Sequence, residues 1–475
     1  MSSLLRTASA VLAGSLPGMR RDAASEFLAE WRAQGDVASL HLGPPGLGRV
    51  ATLLVRPEHV EHVLVRNARN YSLSASYAVL EGFLGDGLLT SQGDRWRRHR
   101  RLVQPAFAPA ALTVAAPHFV EAALDAAARL GTGGDRSVDL AAEMGRLTLD
   151  GVGRALFGAD LVAEAPIIGR SLRIVQDFTV HAAYFPAPAG VQTRLKDLPT
   201  PGAIRYRAAV RDLDRVIGRL VERPRPEPVD ADLLSLVTAA APPGEAGHRE
   251  IRDQVMTFLL AGHETTAAAL TWTFALLSRH ADVRRRVLAE LDEVLGGRQA
   301  TQADVPSLPF LGAVLKESLR LFPPAWTIER RAEESDEIDG HVLPAGSTVL
   351  LSPYLTHRHP EFWGNPEGFD PDRWLDGGPV LPRGAYLPFG AGARQCIGGA
   401  FATLEATLML ATLLPRVEID LAPGPPLRPV PRITLTAGLG MPAVTRPRTS
   451  RALPAPRRPT YAQRAPRAQS STTSA

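Results

Sequence analysis

Apolar residues recur three and four positions apart along most of the chain, a spacing typical of amphipathic helices. This helical pattern covers residues 23–33, 57–64, 110–130, 140–157, 204–221 and 401–414. The run Ile251 to Leu277 is apolar almost throughout, but His263, Glu264 and several threonines interrupt it. Charged groups are costly inside a bilayer, so we expect this run to be a central buried helix of a globular protein, not a membrane span.

Strand-like patterns are confined to short runs at 39–42, 50–55 and 342–351. Pro44-Pro45-Gly46 predicts a turn between the first two. The segment 182–201 is rich in proline and glycine and predicts a loop between two helices, while 222–228 reads as a charged, proline-broken connector. The pattern therefore predicts a mostly α (α+β) fold with a large helical domain and a small β-rich region.

Composition limits the classes of partner. The chain has 475 residues, 45% of them hydrophobic and 21% charged, as in globular proteins. The net charge is +4, but residues 446–475 hold seven arginines and no acid, which leaves −3 for the rest. Basic character thus belongs to the tail and gives no indication of a nucleic-acid-binding domain. We expect a flexible segment at 1–22, one domain at 23–445 and a disordered tail at 446–475.

The amino-terminal segment has no clear targeting signal. Its apolar run from Ala8 to Leu16 is far shorter than the roughly 20 residues that span a bilayer. The first 21 residues lack acids and carry arginines and serines, which partly fits a mitochondrial transit peptide. A cytoplasmic location is the preferred interpretation.

The stretch Pro388 to Gly399 contains Cys396, the only cysteine in the sequence. A lone cysteine has no partner for an internal disulfide or a Cys-x-x-Cys redox pair. A nucleophile, a one-ligand metal site and inert packing remain open. Glycines on both sides let a flat, bulky group approach the backbone closely, and Arg394 adds a guanidinium fork that binds anions.

Five positions of this stretch, Phe389, Gly392, Arg394, Cys396 and Gly398, match the signature Phe-x-x-Gly-x-Arg-x-Cys-x-Gly. In this signature the sequence resembles the cytochrome P450 family of haem-thiolate monooxygenases. It implies the P450 fold, with haem b between the long central helix and the cysteine loop. It further implies that the Cys396 thiolate is the axial iron ligand, which favours O–O bond cleavage.

A second motif, Ala261-Gly262-His263-Glu264-Thr265-Thr266, lies inside the central helix. Gly262 is expected to leave room for a ligand on the face that carries the hydroxyls. Glu264 is about 100° around an ideal helix from Thr265, so it can share that face only at a local bulge. The motif resembles the family's oxygen-activation motif, which implies that Thr265 steadies bound oxygen and Glu264 feeds protons.

Glu317 and Arg320 are three residues apart, and Phe369-Asp370-Pro371-Asp372-Arg373-Trp374 follows about fifty residues later. These residues resemble two further family elements, although Asp372 and Trp374 replace the commoner Glu and Phe. The resemblance implies a buried ion network of Glu317, Arg320 and Arg373 behind the cysteine loop.

An arginine-rich run from Asp94 to Arg101 places Trp96 and Arg100 on one helical face. By resemblance Trp96 and Arg100 clamp a haem propionate, with Arg330 and Arg394 as further propionate partners. The outward arginines 97, 98 and 101 are hypothesised to dock an acidic electron donor.

Pocket-lining stretches of the family correspond here to residues 76–88, 182–201, 258–261, 325–328 and 434–439. Their candidate pocket side chains are Tyr77, Phe83, Phe258, Ala261 and Trp326. Few charges occur among them, so an apolar small molecule is the expected substrate. His357 and His359 lack a convincing third ligand nearby and are interpreted as packing or capping residues.

The resemblance implies a monooxygenase that inserts one atom of O2 into a hydrophobic molecule by hydroxylation or epoxidation. A terpenoid is favoured, and a fatty acid or a polyketide also fits. Electrons would come from a separate ferredoxin with its reductase, or from a flavodoxin-type donor. Two alternatives stay open, namely a haem-thiolate isomerase or dehydratase acting on a peroxide and a non-catalytic haem- or ligand-binding protein.

Overall fold

A computed structural model describes residues 33, 35–42, 49–184, 189–223, 232–423, 428–438 and 440–448. Its α-helices are α1 (Pro57–Glu61), α2 (Ser76–Leu84), α3 (Gly93–Val103), α4 (Pro109–Leu130), α5 (Leu140–Phe157), α6 (Ala165–Tyr184), α7 (Ala189–Arg194), α8 (Pro201–Glu222), α9 (Leu233–Ala240), α10 (Glu245–Arg279), α11 (Ala281–Leu295), α12 (Pro309–Leu321), α13 (Pro353–Thr356) and α14 (Gly399–Leu413). Most helical ranges predicted from periodicity agree with these bounds to within a few residues. The helix predicted at 23–33, the segment 1–22 and the tail beyond 448 lie outside the described residues.

Twelve short strands complete the described part of the chain. They are β1 (Val37–Leu42), β2 (Arg49–Leu54), β3 (Tyr71–Ser72), β4 (Arg136–Asp139), β5 (Ile328–Ala332), β6 (Asp336–Ile338), β7 (His341–Leu343), β8 (Thr348–Leu351), β9 (Val417–Leu421), β10 (Val430–Pro431), β11 (Leu435–Thr436) and β12 (Pro442–Pro447). The largest sheet has the order β1-β2-β8-β5-β3, with β2 and β8 parallel and the other pairs antiparallel. A second sheet, β4-β12-β9, brings the carboxyl-terminal strand β12 beside β4. The mostly helical fold expected from the sequence is confirmed.

The 35-residue helix α10 runs through the main core and packs most extensively against α5. Three of its buried threonines, Thr257, Thr271 and Thr273, donate to carbonyls four residues earlier at 2.7 Å. Their hydroxyls are therefore satisfied within the helix, so they can be buried at little cost. This explains how a helix with so many polar side chains serves as the centre of a hydrophobic core.

Two segments differ from the prediction. The stretch 182–201 was expected to be a loop, but α6 extends to Tyr184, and α7 and a 3₁₀ turn follow. The buried Gln192 of α7 donates to the Ala183 carbonyl at 2.9 Å and so ties α7 to the end of α6. The strand expected at 342–351 is two strands, β7 and β8. Pro344 and Gly346, which has φ +81°, form the break between them. The turn predicted at 44–46 lies outside the described residues.

Strand β12 continues to Pro447, two residues beyond the boundary expected at 445. Arg446 explains the extension, because its guanidinium contacts Glu418 at 3.1 Å and Asp420 at 2.7 Å on the neighbouring strand β9. Of the helices in the described ranges, none by itself has the length and apolarity to cross a membrane; one bent pair, Gly93–Phe107 with Pro109–Leu130, meets those two criteria jointly.

Candidate active site

The Cys396 loop is a tight turn fixed by glycines and by one backbone bond. The Cys396 N–H donates to the Phe389 carbonyl at 2.9 Å, and residues 392–394 form a 3₁₀ turn. Gly392 has φ +71°, and a Cβ there would lie 1.9 Å from the Leu64 carbonyl oxygen. No other residue fits that position without moving the backbone. The loop is therefore held in one conformation against the segment after α1.

The Cys396 thiol is surrounded by groups that act on its pKa in opposite directions. Cys396 is exposed, but the protein atoms around its thiol partly desolvate it and raise its pKa, while the backbone N–H of Gly398 and the charge of Arg100 lower the pKa. A Cβ on Gly398 would come 3.9 Å from the sulfur and 3.6 Å from the Phe107 ring. A hydrogen-bond donor and a guanidinium close to sulfur are what a thiolate ligand requires.

Three arginines gather beside this loop without a carboxylate. Arg100 donates to the Gln395 carbonyl at 2.7 Å, Arg394 to the Ser91 carbonyl at 2.7 Å, and Arg330 to the Glu329 carbonyl at 2.8 Å. None of the three takes part in an ion pair recorded among the described residues. Burial, with repulsion from Arg330 and Arg100, lowers the pKa of Arg394 to about 10. Such a cluster favours binding of an anion that would neutralise it.

Trp96 lies at the same cluster. The guanidinium of Arg394 stacks over the Trp96 ring at 4.8 Å from its centroid. The sequence expectation paired Trp96 with Arg100, whereas the recorded contact of the indole is with Arg394. The four residues expected at the propionates, Trp96, Arg100, Arg330 and Arg394, are thus brought together by α3, β5 and the cysteine loop.

Helix α10 is continuous through the Ala261–Thr266 motif. Ala261 is exposed although the two residues before it are buried, so this face of the helix borders an open cavity. Thr265 lies one turn further and donates to the Ala261 carbonyl at 2.7 Å. The structure corrects the expectation for Gly262, whose Cβ would lie 3.3 Å from Val152 on α5. Gly262 allows close packing of two helices, and Ala261 supplies the open face.

Glu264 points away from that open face, as expected for a helix without a bulge. The Gln176 amide on α6 donates to its Oε1 at 2.5 Å. Burial raises the pKa of Glu264 to about 7, although Gln176 and the more distant Arg432 lower it. A carboxyl that titrates near neutrality can both take up and release a proton. Sequence reasoning missed Gln176, because nothing in a single buried glutamine on another helix indicates its partner.

The expected ion network is present behind the cysteine loop. Glu317 and Arg320 are both 0% exposed and lie 2.8 Å apart, and Arg373 contacts Glu317 at 3.0 Å. Trp374 adds an indole donor to Glu317 at 2.8 Å, and the Asp370 N–H donates at 3.0 Å. The replacement of Phe by Trp at position 374 therefore adds a hydrogen bond to the network.

Arg320 also joins three backbone segments. Its guanidinium donates to the carbonyls of His357, Pro366 and Gly368 at 2.9, 2.6 and 2.7 Å. The buried ion pair thus has its remaining donors satisfied, which is the condition under which such a pair is tolerated.

His357 connects this network to the chain entering the cysteine loop. Its Nδ1 lies 3.2 Å from the Arg320 carbonyl, and its Nε2 accepts from the Leu387 N–H at 2.9 Å. Burial lowers the pKa of His357 to about 3, so the ring is neutral and Nδ1 carries the proton. His359 instead contacts Asp36 at 3.0 Å. No group of three potential His, Cys, Asp or Glu metal ligands occurs in the described ranges.

Comparison with known proteins adds the decisive observation. The family model described as cytochrome P450 matches residues 9–444. The chain belongs to the cytochrome P450 family. The "Cyclooctatin synthase" of Streptomyces melanosporofaciens is 41% identical over 422 residues, covering 87% of this chain and 89% of that protein. The "Pentalenene oxygenase" of Streptomyces avermitilis is 34% identical over 414 residues, covering 86% and 90%.

A solved structure agrees. The "cytochrome P450DA heme domain" superposes with a TM-score of 0.77 at 26% identity, covering 90% of this chain and 94% of that one. The chain is thus a P450 monooxygenase, and its cofactor is haem held through a cysteine thiolate. The residues present fit that group, because the sequence has a single cysteine, an acid-free arginine cluster lies beside it, and a helix face with only small side chains borders the cavity.

Three of the five side chains predicted to line the pocket of this P450 pack against neighbouring side chains. Phe83 is 1% exposed and belongs to the main core. Phe258 stacks on Phe107 at 5.5 Å, within a cluster that includes Phe401. Trp326 packs against the five-stranded sheet and donates to the Arg432 carbonyl at 2.8 Å. Large apolar rings bury most area against other packed side chains. Of the five, Ala261 is exposed, and Tyr77 and Trp326 are both partly exposed.

Proposed function

We propose that this P450 hydroxylates or epoxidises a terpenoid, and that the Cys396 thiolate would bind the haem iron. The observation that carries the ligand assignment is the Cys396 loop itself, where glycine geometry, the Gly398 N–H and Arg100 converge on the single thiol. Members of the family hold haem through a cysteine thiolate, and this chain has one cysteine. Phe389 supports the loop, since a Cβ on Gly399 would lie 3.3 Å from its ring.

The arginine cluster would hold the haem propionates. Arg100, Arg330 and Arg394 present buried or half-buried guanidinium groups, and charge-assisted bonds to carboxylates are the strongest hydrogen bonds available to them. Trp96 orients Arg394 through its stacking contact. When bound, the haem supplies the reduction of O2 and the transfer of one oxygen atom to the substrate.

Thr265 and Glu264 would deliver protons to the open face of α10. The Thr265 hydroxyl can hold a proton at Oγ1 and point it toward the cavity when it leaves the Ala261 carbonyl. Glu264, with its pKa near 7, can exchange a proton with water at physiological pH. Glu317, Arg320 and Arg373 keep the cysteine loop in place and do not take part in the chemistry.

Terpenoid substrates are supported by the relatives and by the cavity. The two relatives named above bear the names of a cyclooctatin synthase and a pentalenene oxygenase, and both names refer to terpenoids. The open face at Ala261 has no charged side chain, which suits an apolar ligand. A fatty acid or polyketide has no comparable support.

Electrons would come from a separate protein, as is general in the family. The proposed docking surface is the outer face of α3. There Arg97 contacts Asp94 at 2.8 Å and Arg98 contacts Glu250 at 2.9 Å, while Arg101 is exposed. A ferredoxin or flavodoxin-type donor has acidic surface groups that complement such residues. We also propose a cytoplasmic location, where reductases supply such donors.

The test is turnover with a ferredoxin, its reductase, NADPH and a panel of cyclic terpenes under ¹⁸O2. The proposal predicts a product that carries one ¹⁸O atom and depends on reductant. Thr265→Ala should lose most of that product while NADPH oxidation continues, because the hydroxyl no longer holds the proton. Conversion of a hydroperoxide without reductant would instead indicate an isomerase or dehydratase. Tight terpene binding without any product would indicate a ligand-binding protein.

A further inference from the structure

Gln176 and Glu264 form an isolated polar pair between α6 and α10. Gln176 is 1% exposed, and its Nε2 donates to Glu264 Oε1 at 2.5 Å. The other oxygens, Gln176 Oε1 and Glu264 Oε2, are buried and have no hydrogen-bond partner in the described part of the chain. An unpartnered buried oxygen is costly, and each of these two atoms can accept a hydrogen bond that the described residues do not supply.

The charged groups around the pair do not offset the effect of burial on the pKa of the Glu264 carboxyl. Arg432, near the β10–β11 hairpin, attracts the carboxylate, but its guanidinium already contacts Asp177 at 3.1 Å, the next residue on α6. His263 is neutral, because burial lowers its pKa to about 4, and it faces Gly145 on α5. Burial therefore dominates, and Gln176 is the one uncharged donor that the described residues give to Glu264.

An amide is suited to both protonation states of a carboxyl. Its N–H donates to a carboxylate, and after a half-turn of the amide its carbonyl accepts from a carboxylic acid O–H. A lysine or arginine would favour the charged form alone, and an apolar residue would leave either form without a partner. That half-turn places Gln176 Oε1, which has no partner in the described part of the chain, where Nε2 lies, beside Glu264 Oε1, and Glu264 Oε1 then carries the proton.

We propose that Gln176 is a positioning residue for proton supply, which holds Glu264 against α6 whether or not the carboxyl carries a proton. Because Asp177 holds Arg432 from the adjacent position, displacement of α6 breaks both contacts together and frees Glu264. Proton exchange is in this way tied to the position of α6. The inference rests on the proposed role of Glu264 in proton delivery.

The test is an infrared titration of the haem-loaded enzyme, which needs no turnover. The C=O stretch of protonated Glu264 is assigned by its absence in Glu264→Gln, and its midpoint is followed against pH. Gln176→Glu should raise the midpoint and Gln176→Lys should lower it, each by about 1 to 3 pH units, since a charge within a few ångströms shifts a carboxyl by that amount. Shifts of opposite sign show that position 176 contacts the Glu264 carboxyl, and Gln176→Leu tests the contribution of the amide hydrogen bond itself.

Gln192→Glu is the matched control. Gln192 is also 1% exposed, but its amide donates to the Ala183 carbonyl at 2.9 Å. This control should leave the Glu264 midpoint unchanged. Gln176→Leu serves if Gln176→Lys fails to fold, and should raise the midpoint because the donor is lost. Equal midpoints in wild type, Gln176→Glu and Gln176→Leu would overturn the proposal.

Failure of the proposed monooxygenase function can be distinguished from failure of the proposed role of Gln176. If wild type forms no oxygenated product but the Gln176 variants shift the Glu264 band, the positioning role stands and the monooxygenase assignment of this pair falls. With an active wild type, Gln176→Leu should also displace the pH optimum of product yield per NADPH upward. An unchanged optimum together with unchanged infrared midpoints would exclude the role on both measures.

Discussion

Glu317→Gln keeps the size of a fully buried side chain and removes its charge. Two guanidinium groups, Arg320 at 2.8 Å and Arg373 at 3.0 Å, then lose their counter-charge in a site where Glu317 and Arg320 are 0% exposed. Breaking a buried ion pair by removing one partner costs about 3 to 5 kcal/mol. Because domains are stable by only about 5 to 15 kcal/mol, roughly a fifth or more of the free energy of unfolding should be lost.

The assay is urea denaturation of the haem-loaded protein, followed by far-ultraviolet circular dichroism. Asp372→Asn is the matched control, since Asp372 contacts Arg286 at 2.8 Å but its side chain is 59% exposed. A solvated pair of this kind contributes about 0 to 1 kcal/mol. If Glu317→Gln and Asp372→Asn lower the free energy of unfolding equally, the network is not the support that we describe.

Three further predictions concern single residues. Burial raises the pKa of Glu405 well above its ordinary value, so the folded state keeps a proton that the unfolded state releases. As pH rises from about 5 to 8, the free energy of unfolding of wild type, measured by urea denaturation, should therefore fall relative to that of Glu405→Gln, by about 1.4 kcal/mol per pH unit below the folded pKa. Parallel curves for the two proteins would contradict this. The pKa of His357 is lowered to about 3, so wild-type stability should fall as pH drops below about 6.5, and His357→Gln should flatten that slope in the same assay. Gly392→Ala should lose bound haem, measured as the Soret-to-protein absorbance ratio, because its Cβ would meet the Leu64 carbonyl at 1.9 Å, whereas Gly218→Ala, with open space around it, should retain haem.

The motifs that lie close together in sequence were the most predictable. The Cys396 loop, the Glu317–Arg320 pair and the central helix were all expected, because local spacing determines their geometry. Contacts between segments that are distant in sequence could not be predicted. Gln176 meets Glu264 only because α6 crosses α10, and His357 meets Leu387 only after the chain has returned behind α12.

The direction in which a residue faces was harder to predict than its presence near the site. Gly262 was expected to face a ligand, but it faces Val152, since the helix rotation that opens Ala261 to the cavity turns the next residue toward α5. Similarly Phe83, Phe258 and Trp326 were predicted to line the pocket because they lie in the stretches that line it in the family. Large apolar rings, however, gain most from burial against packed neighbours. Apolar character alone does not distinguish a pocket wall from the core behind it.

The central claim is that Cys396 binds the haem iron. It is tested most directly by the difference spectrum of the dithionite-reduced protein with carbon monoxide, for wild type and Cys396→Ser. We expect a strongly red-shifted Soret band in wild type that is lost in the variant, because only thiolate ligation produces it. A band typical of histidine-ligated haem in wild type, or an unchanged band in Cys396→Ser, would contradict the account.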